Sequence, residues 1–110
     1  MRTLKFIVEG QTIRQDPNCS FDGLVPGTEG FLYADFSFSP EWNGYVKVAA
    51  FYSRLGKEYP PQTLKNGKKC LIPAEALEKR IFKIRIIGKN AEGATMLTDK
   101  ITIDQDGGKK

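Results

Sequence analysis

The chain has 110 residues, with 17 Lys and Arg against 13 Asp and Glu, no His, two Cys and a net charge of +4. That length suits one ordinary domain, and 40% apolar with 27% charged residues allows a core and excludes a disordered chain. No apolar stretch approaches the roughly 20 residues of a membrane-spanning helix, and the missing histidine removes the usual general base and triad partner.

Met1 to Gly10 alternates and has no continuous apolar run, so no secretion signal is expected and the chain should begin in a cytoplasm. Leu4, Phe6 and Val8 alternate with Thr3, Lys5 and Ile7 and predict a first strand, which Gln11 to Arg14 continues after a kink at Gly10. Asp16-Pro17-Asn18 opens a long loop to Gly30, and Phe21, Leu24 and Val25 predict that it packs down on the body. Phe31 to Ser39 is the clearest strand, with Leu32, Ala34, Phe36 and Phe38 on one face and Tyr33, Asp35 and Ser37 on the other. Pro40 ends it, because proline donates no ladder hydrogen bond, and Glu41-Trp42-Asn43-Gly44 turns the chain.

Tyr45 to Ser53 reads as the next strand, with Val46, Val48, Ala50 and Tyr52 toward the core and Lys47, Ala49 and Phe51 outward. Tyr59-Pro60-Pro61 breaks pairing and predicts a sheet edge. Lys65-Asn66-Gly67-Lys68 signals a hairpin leading into Cys70-Leu71-Ile72, and Pro73 with Ala74-Glu75-Ala76-Leu77 reads as one helical turn. Phe82, Ile84 and Ile86 face the core on a strand from Arg80 to Gly88. Asn90 to Gly93 makes the last hairpin loop, and a final strand starts near Thr95 and ends with Ile101 and Ile103.

About seven short strands and one short helical turn predict an all-β fold, an immunoglobulin-like antiparallel β-sandwich. A small closed barrel is the alternative architecture. The sandwich is expected to span residues 1–106 as a single domain, with residues 107–110, Gly-Gly-Lys-Lys, as a flexible basic tail. Cys19 and Cys70 are expected as free thiols in a reducing compartment, with an inter-sheet disulfide as the alternative. Two thiols without histidine do not complete a structural zinc site, and no metal or other cofactor is expected.

Five segments together carry a resemblance: Thr3-Leu4-Lys5-Phe6, Phe38-Ser39-Pro40-Glu41-Trp42-Asn43-Gly44, Lys47-Val48-Ala49-Ala50-Phe51, Ile72-Pro73-Ala74-Glu75-Ala76-Leu77 and Ile84-Arg85-Ile86-Ile87-Gly88. With them the chain resembles small proteins of phages and prophages of Gram-positive bacteria, and is similar to the immunoglobulin-like domain that begins phage upper baseplate and related tail proteins. The resemblance implies a viral origin, a place in the host bacterial cytoplasm, and incorporation in the virion for a structural role.

The chemistry-bearing residues point to binding and away from catalysis. Asp35, Glu41 and Glu58 show no acid/base spacing and read as surface charge; Gly23, Gly27 and Gly30 match no phosphate loop; Ser20, Ser37, Ser39 and Ser53 have no histidine to activate them. The expectation is therefore a binding or structural module and not an enzyme. Lys83 and Arg85 share the solvent side of their strand, and pairing with Tyr45 to Ser53 is expected to add Lys47. Such a face suits nucleotide phosphates, with Tyr33 and Trp42 as stacking surfaces; a merely solubilising stripe is the plainer alternative. Trp42 also reads as a ring folded over the sandwich end.

Phe51 on the outward side and Tyr59 at the edge predict a covered surface, most simply a two-fold homo-oligomer. The leading functional expectation is thus a self-associating tail or baseplate protein whose partners are other phage structural proteins. The alternative is an anti-defence decoy that sequesters a nucleotide second messenger or inhibits a bacterial defence protein. No membrane partner is expected, and a charge of +4 with pI ≈ 9.1 does not favour general nucleic-acid binding.

Overall fold

Strands that are apolar on one face must bury that face against another layer, and this chain does so with two sheets. The computed structural model describes residues 1–105. Among them are nine strands: β1 (Arg2–Glu9), β2 (Thr12–Gln15), β3 (Leu32–Phe38), β4 (Val46–Ser53), β5 (Gln62–Thr63), β6 (Lys69–Leu71), β7 (Ile81–Lys89), β8 (Thr95–Leu97) and β9 (Ile101–Asp104). A 3₁₀ turn, Pro40–Trp42, follows β3, and the expected helical turn, α1 (Ala74–Leu77), lies between β6 and β7. The first sheet has the order β2-β1-β3-β6; in the second, β5-β4-β7-β8, the strand β9 also pairs with β7. The protein is an all-β sandwich, and no helix among the described residues is long and apolar enough to cross a membrane. The expected tail, 107–110, and the domain's expected last residue lie outside the described residues.

Three features of the pairing differ from the expected outline. Residues 11–14 do not continue the first strand: Gly10 takes φ +55° and turns the chain back, so β2 lies antiparallel on β1. β1 and β3 run parallel over seven residue pairs, Arg2–Leu32 to Val8–Phe38, so the first sheet is mixed. The long loop between β2 and β3 makes this parallel return feasible, and it packs down as expected, with Leu24 buried and the Phe21 ring edge-on to Phe6 at 5.4 Å. Val25 of the same loop stays half exposed.

The final strand is broken in two. Thr98 fills the break: its backbone N–H donates to Ile86 O at 3.1 Å, and its hydroxyl oxygen accepts Ile86 N–H at 2.9 Å. The next residue ties the break to the other sheet, because Asp99 Oδ1 accepts Ile13 N–H at 3.0 Å while Asp99 N–H donates to Gln11 O at 2.9 Å. A buried polar kink of this kind persists because each group finds a partner.

The core lies between the sheets. Leu4, Phe6, Val8, Ala34 and Phe36 of the first sheet meet Ala49, Phe51, Phe82, Ile84, Ile86 and Ile103 of the second, all buried. The register of β4 on β7 corrects one expectation outright. Phe51 pairs with Ile84 and Ala49 with Ile86, so both point inward, and Phe51 is fully buried. β4 is apolar on both sides, and its own alternation does not say which side is the core; its pairing with the buried Ile84 and Ile86 of β7 does.

Trp42 closes one end of the sandwich. Its ring is fully buried, packs between Phe38 and Tyr45 at 5.6 and 5.7 Å, and its indole N–H donates to Gly10 O at 2.8 Å. Gly88 gives the ring its space: a Cβ there would lie 2.7 Å from Trp42 Cζ3 and 3.3 Å from Tyr45 Cβ. Gly88→Ala is therefore expected to cost about 1–3 kcal/mol, as other overpacking substitutions do. Thermal unfolding should fall by at least about 4 °C for a domain of this size; an unchanged melting temperature would contradict the wedge.

Candidate functional site

Alternation along β4 and β7 builds the outer face of the second sheet. With Phe51, Ile84 and Ile86 inward, Val46, Val48, Ala50 and Tyr52 of β4 and Lys83, Arg85, Ile87 and Lys89 of β7 lie on the outer side, where Ala50 and Tyr52 are nonetheless buried. Thr63, Val48, Ile87 and Leu97 make one row across four strands, at distances where neighbouring side chains touch. An outer sheet face is ordinarily polar. Here Val46 is 73% exposed, Leu97 is 37% exposed, and Val48 and Ile87 are half-buried.

Cations border this apolar row. Toward the α1 end, Arg85 pairs with Ala50 and Lys83 with Tyr52; at the other end, Lys89 pairs with Val46. Arg85 Nε donates to Thr98 O at 2.9 Å, which holds its guanidinium down along the sheet. Lys100 adds a cation that the sequence reading missed: its Nζ lies 4.0 Å from the Tyr52 ring centroid, a cation–π contact. No pattern in the loop before β9 marks Lys100, because the break in the strand sets its position. Glu58 bridges to Tyr52 on the far side of β4, and Asp104 of β9 is held by Arg80 through Nε–Oδ1 at 2.7 Å and Nη2–Oδ2 at 3.0 Å.

The expected anion-binding set does not assemble as a unit. Lys83 and Arg85 share the outer face, but Lys47 pairs with Gly88 and points to the inner side, at the sandwich end. Its stem runs over the Phe38 ring, with Nζ 5.0 Å from the centroid and donating to Tyr45 O at 3.0 Å, the snorkelling of a lysine at a core boundary. Tyr33 lies on the outer face of the opposite sheet, paired with Thr3 and Leu71 beneath Lys69. Trp42 is the buried plug and has no exposed surface to stack on. Tyr59 is half-buried against the core, its N–H donating to Phe51 O at 2.9 Å, and the expected contact through Phe51 is absent because that ring is interior.

Two grooves open elsewhere, and neither is lined by Lys83, Arg85 or Lys100. One, of about 310 Å³, lies beside Phe38, Trp42, Lys47 and Lys68. The other, of about 750 Å³, runs between the loop after β4 and the segment joining α1 to β7, with Arg54, Lys57, Tyr59 and Lys79 among its walls. No group of three or more His, Cys, Asp or Glu placed to hold a metal ion occurs among the described residues. Glu41 is a carboxylate shifted downward, by its hydrogen bond with Ser39, away from the range in which a general acid keeps its proton. No protein-family model matches the chain, and no curated protein or solved structure matches it.

Cys19 and Cys70 are both free thiols. Cys19 is half-buried and its Sγ accepts Lys5 N–H at 3.4 Å; Cys70 is buried on β6, and desolvation pushes its pKa up to about 12. A thiol reagent at about pH 8 should modify Cys19 in the native protein and Cys70 only after unfolding, since the thiolate is the nucleophile. Because the folded thiol ionises later than the unfolded one, whose ordinary pKa is 9.0, it adds stability that is complete below that value and is lost as pH rises toward about 12. Cys70→Ala should therefore lose less stability than the parent over that interval, and equal losses would contradict the desolvated thiol.

Proposed function

We propose that this chain is a non-enzymatic interaction module that docks a protein partner through the outer face of its second sheet. The observation that carries the reading is the apolar row Val48–Ile87–Leu97, with Val46 beside it, left uncovered by any described element. Contiguous exposed apolar surface rimmed by polar groups is the usual mark of a protein contact. The rim selects the partner's chemistry. Lys83, Arg85, Lys89 and Lys100 outnumber Glu58 and Asp104 around this face, and Arg80 already neutralises Asp104. The complementary surface is apolar at its centre and acidic at its edge.

Two copies meeting through this face would set cations against cations, on a chain whose net charge is already +4. A different, acidic protein thus fits better than the homo-oligomer expected from the sequence. The resemblance to phage tail and baseplate modules supplies a setting, since such modules work by docking on neighbouring proteins. The nucleotide-decoy reading on Lys47, Lys83 and Arg85 loses its geometric basis with Lys47 on the other side of β4.

Affinity capture followed by identification and purification of the bound protein tests this reading. The partner should bind the parent in a complex that weakens with salt, and Ile87→Asp should abolish binding; the amide spectrum checks that this variant of a half-buried strand residue is still folded. The reading fails if no protein is captured or if Ile87→Asp binds as well as the parent. It also fails if sedimentation reports a dimer of the parent that Ile87→Asp dissociates, which would make a second copy the occupant.

A further inference from the structure

The larger groove lies at the α1 end of the sandwich, and its walls are held in place from within the protein. On one side, the turn after β4 is fixed by Ser53 N–H to Lys57 O at 2.8 Å, Lys57 N–H to Ser53 Oγ at 2.9 Å and Gly56 N–H to Ser53 O at 3.0 Å. On the other side, Gln105, itself buried, donates its amide to Leu77 O at 3.1 Å and to Lys79 O at 2.9 Å, and its backbone N–H to Arg80 O at 2.7 Å. A groove whose two walls are each tied down by hydrogen bonds loses little freedom when a ligand enters.

Its lining is unbalanced in charge and partly apolar. Among the described residues, Arg54, Lys57, Lys79 and Arg80 line it against one lining carboxylate, Glu78, and Arg80 is occupied by Asp104. The surplus of positive charge suits an anionic ligand. Beside these cations Leu55 stands 90% exposed, and Tyr59 and Ile81 complete an apolar surface. Leu55, Tyr59 and Ile81 together, and not Leu55 alone, make the apolar wall beside the cations. A ligand that joins a phosphate or diphosphate group to a flat or apolar body would use both features at once.

We propose that this groove binds a phosphate-bearing small molecule, with the phosphate held by Arg54, Lys57 and Lys79 and the apolar or aromatic body packed on Leu55, Tyr59 and Ile81. Arginine offers the phosphate a two-pronged donor, and the lysines act as point charges. The site is separate from the outer face of the second sheet and does not depend on the docking reading.

Amide chemical-shift titration of the whole chain with ADP, and separately with inorganic pyrophosphate, tests the assignment. ADP should give saturable shifts concentrated in residues 53–59 and 78–81, and pyrophosphate should bind the same segments more weakly. Arg54→Gln should weaken ADP about tenfold, a difference of about 1.4 kcal/mol, and Lys83→Gln should leave it unchanged. Both altered side chains are solvent-accessible, and the amide spectrum itself reports whether each variant is folded; Lys79→Gln serves as a second variant with the same expected loss. The proposal is overturned if no saturable shift appears, if the shifts centre on Lys83, Arg85 and Lys100, or if Arg54→Gln and Lys79→Gln both bind like the parent. Pyrophosphate binding as tightly as ADP would remove the apolar contact from the assignment.

Discussion

The antiparallel register of β4 on β7 is the constraint on which the two sides of this protein depend. Eight residue pairs, from Val46–Lys89 to Ser53–Phe82, fix which side chains enter the core and which meet water. Because the side-chain period in a strand is two, a slip of one residue would exchange the faces entirely. Phe51 against Ile84 and Ala49 against Ile86 put the interior on one side; Val48 against Ile87 and Tyr52 against Lys83 make the outer face on the other. Trp42 holds the far end of this pair through Gly88, and α1 covers the near end, where Ala76 and Leu77 are buried. The candidate docking surface is thus a consequence of the same pairing that makes the core.

Much of this fold was legible in local pattern, for physical reasons that differ by element. β1 and β3 alternate apolar and polar residues with Ile7 as the exception in β1, so Leu4, Phe6, Val8, Leu32, Ala34 and Phe36 read directly as core. Asn66 and Gly67 both adopt positive φ, as the Asn-Gly turn signal predicts, and Pro73 opens α1. The parallel pairing of β1 with β3 left no such mark, because strand order is set by long-range contacts. β4 was misread for the opposite reason. It carries apolar side chains on both faces, so the count of Val46, Val48, Ala50 and Tyr52 favoured the wrong one, and the partner strand alone resolves it.

The candidate site was less legible than the fold. Lys83 and Arg85 followed from parity on a well-marked strand, and both lie outward as their alternation requires. Lys47 went astray with β4, and Lys100 was invisible because its place over Tyr52 depends on the break at Thr98. The groove between the loop after β4 and the segment before β7 joins residues 54–59 to 78–81 across some twenty positions of sequence, and composition does not reveal that juxtaposition. Charged residues in loops declare their sign but not their neighbours. The basic residues at the α1 end therefore carry no mark in the sequence of the groove they share.

Methyl relaxation by a soluble paramagnetic agent measures directly how open the apolar outer face of the second sheet is in the free protein. Strong enhancement is expected at the methyls of Val46, Val48, Ile87 and Leu97 at every protein concentration, with Ile84, Ile86 and Ile103 protected. Protection of Val48 and Ile87 equal to that of Ile84 would contradict the account, whether it persists on dilution, which would mean that the β4 register is wrong, or appears only when the protein is concentrated, which would mean that a second copy covers the face.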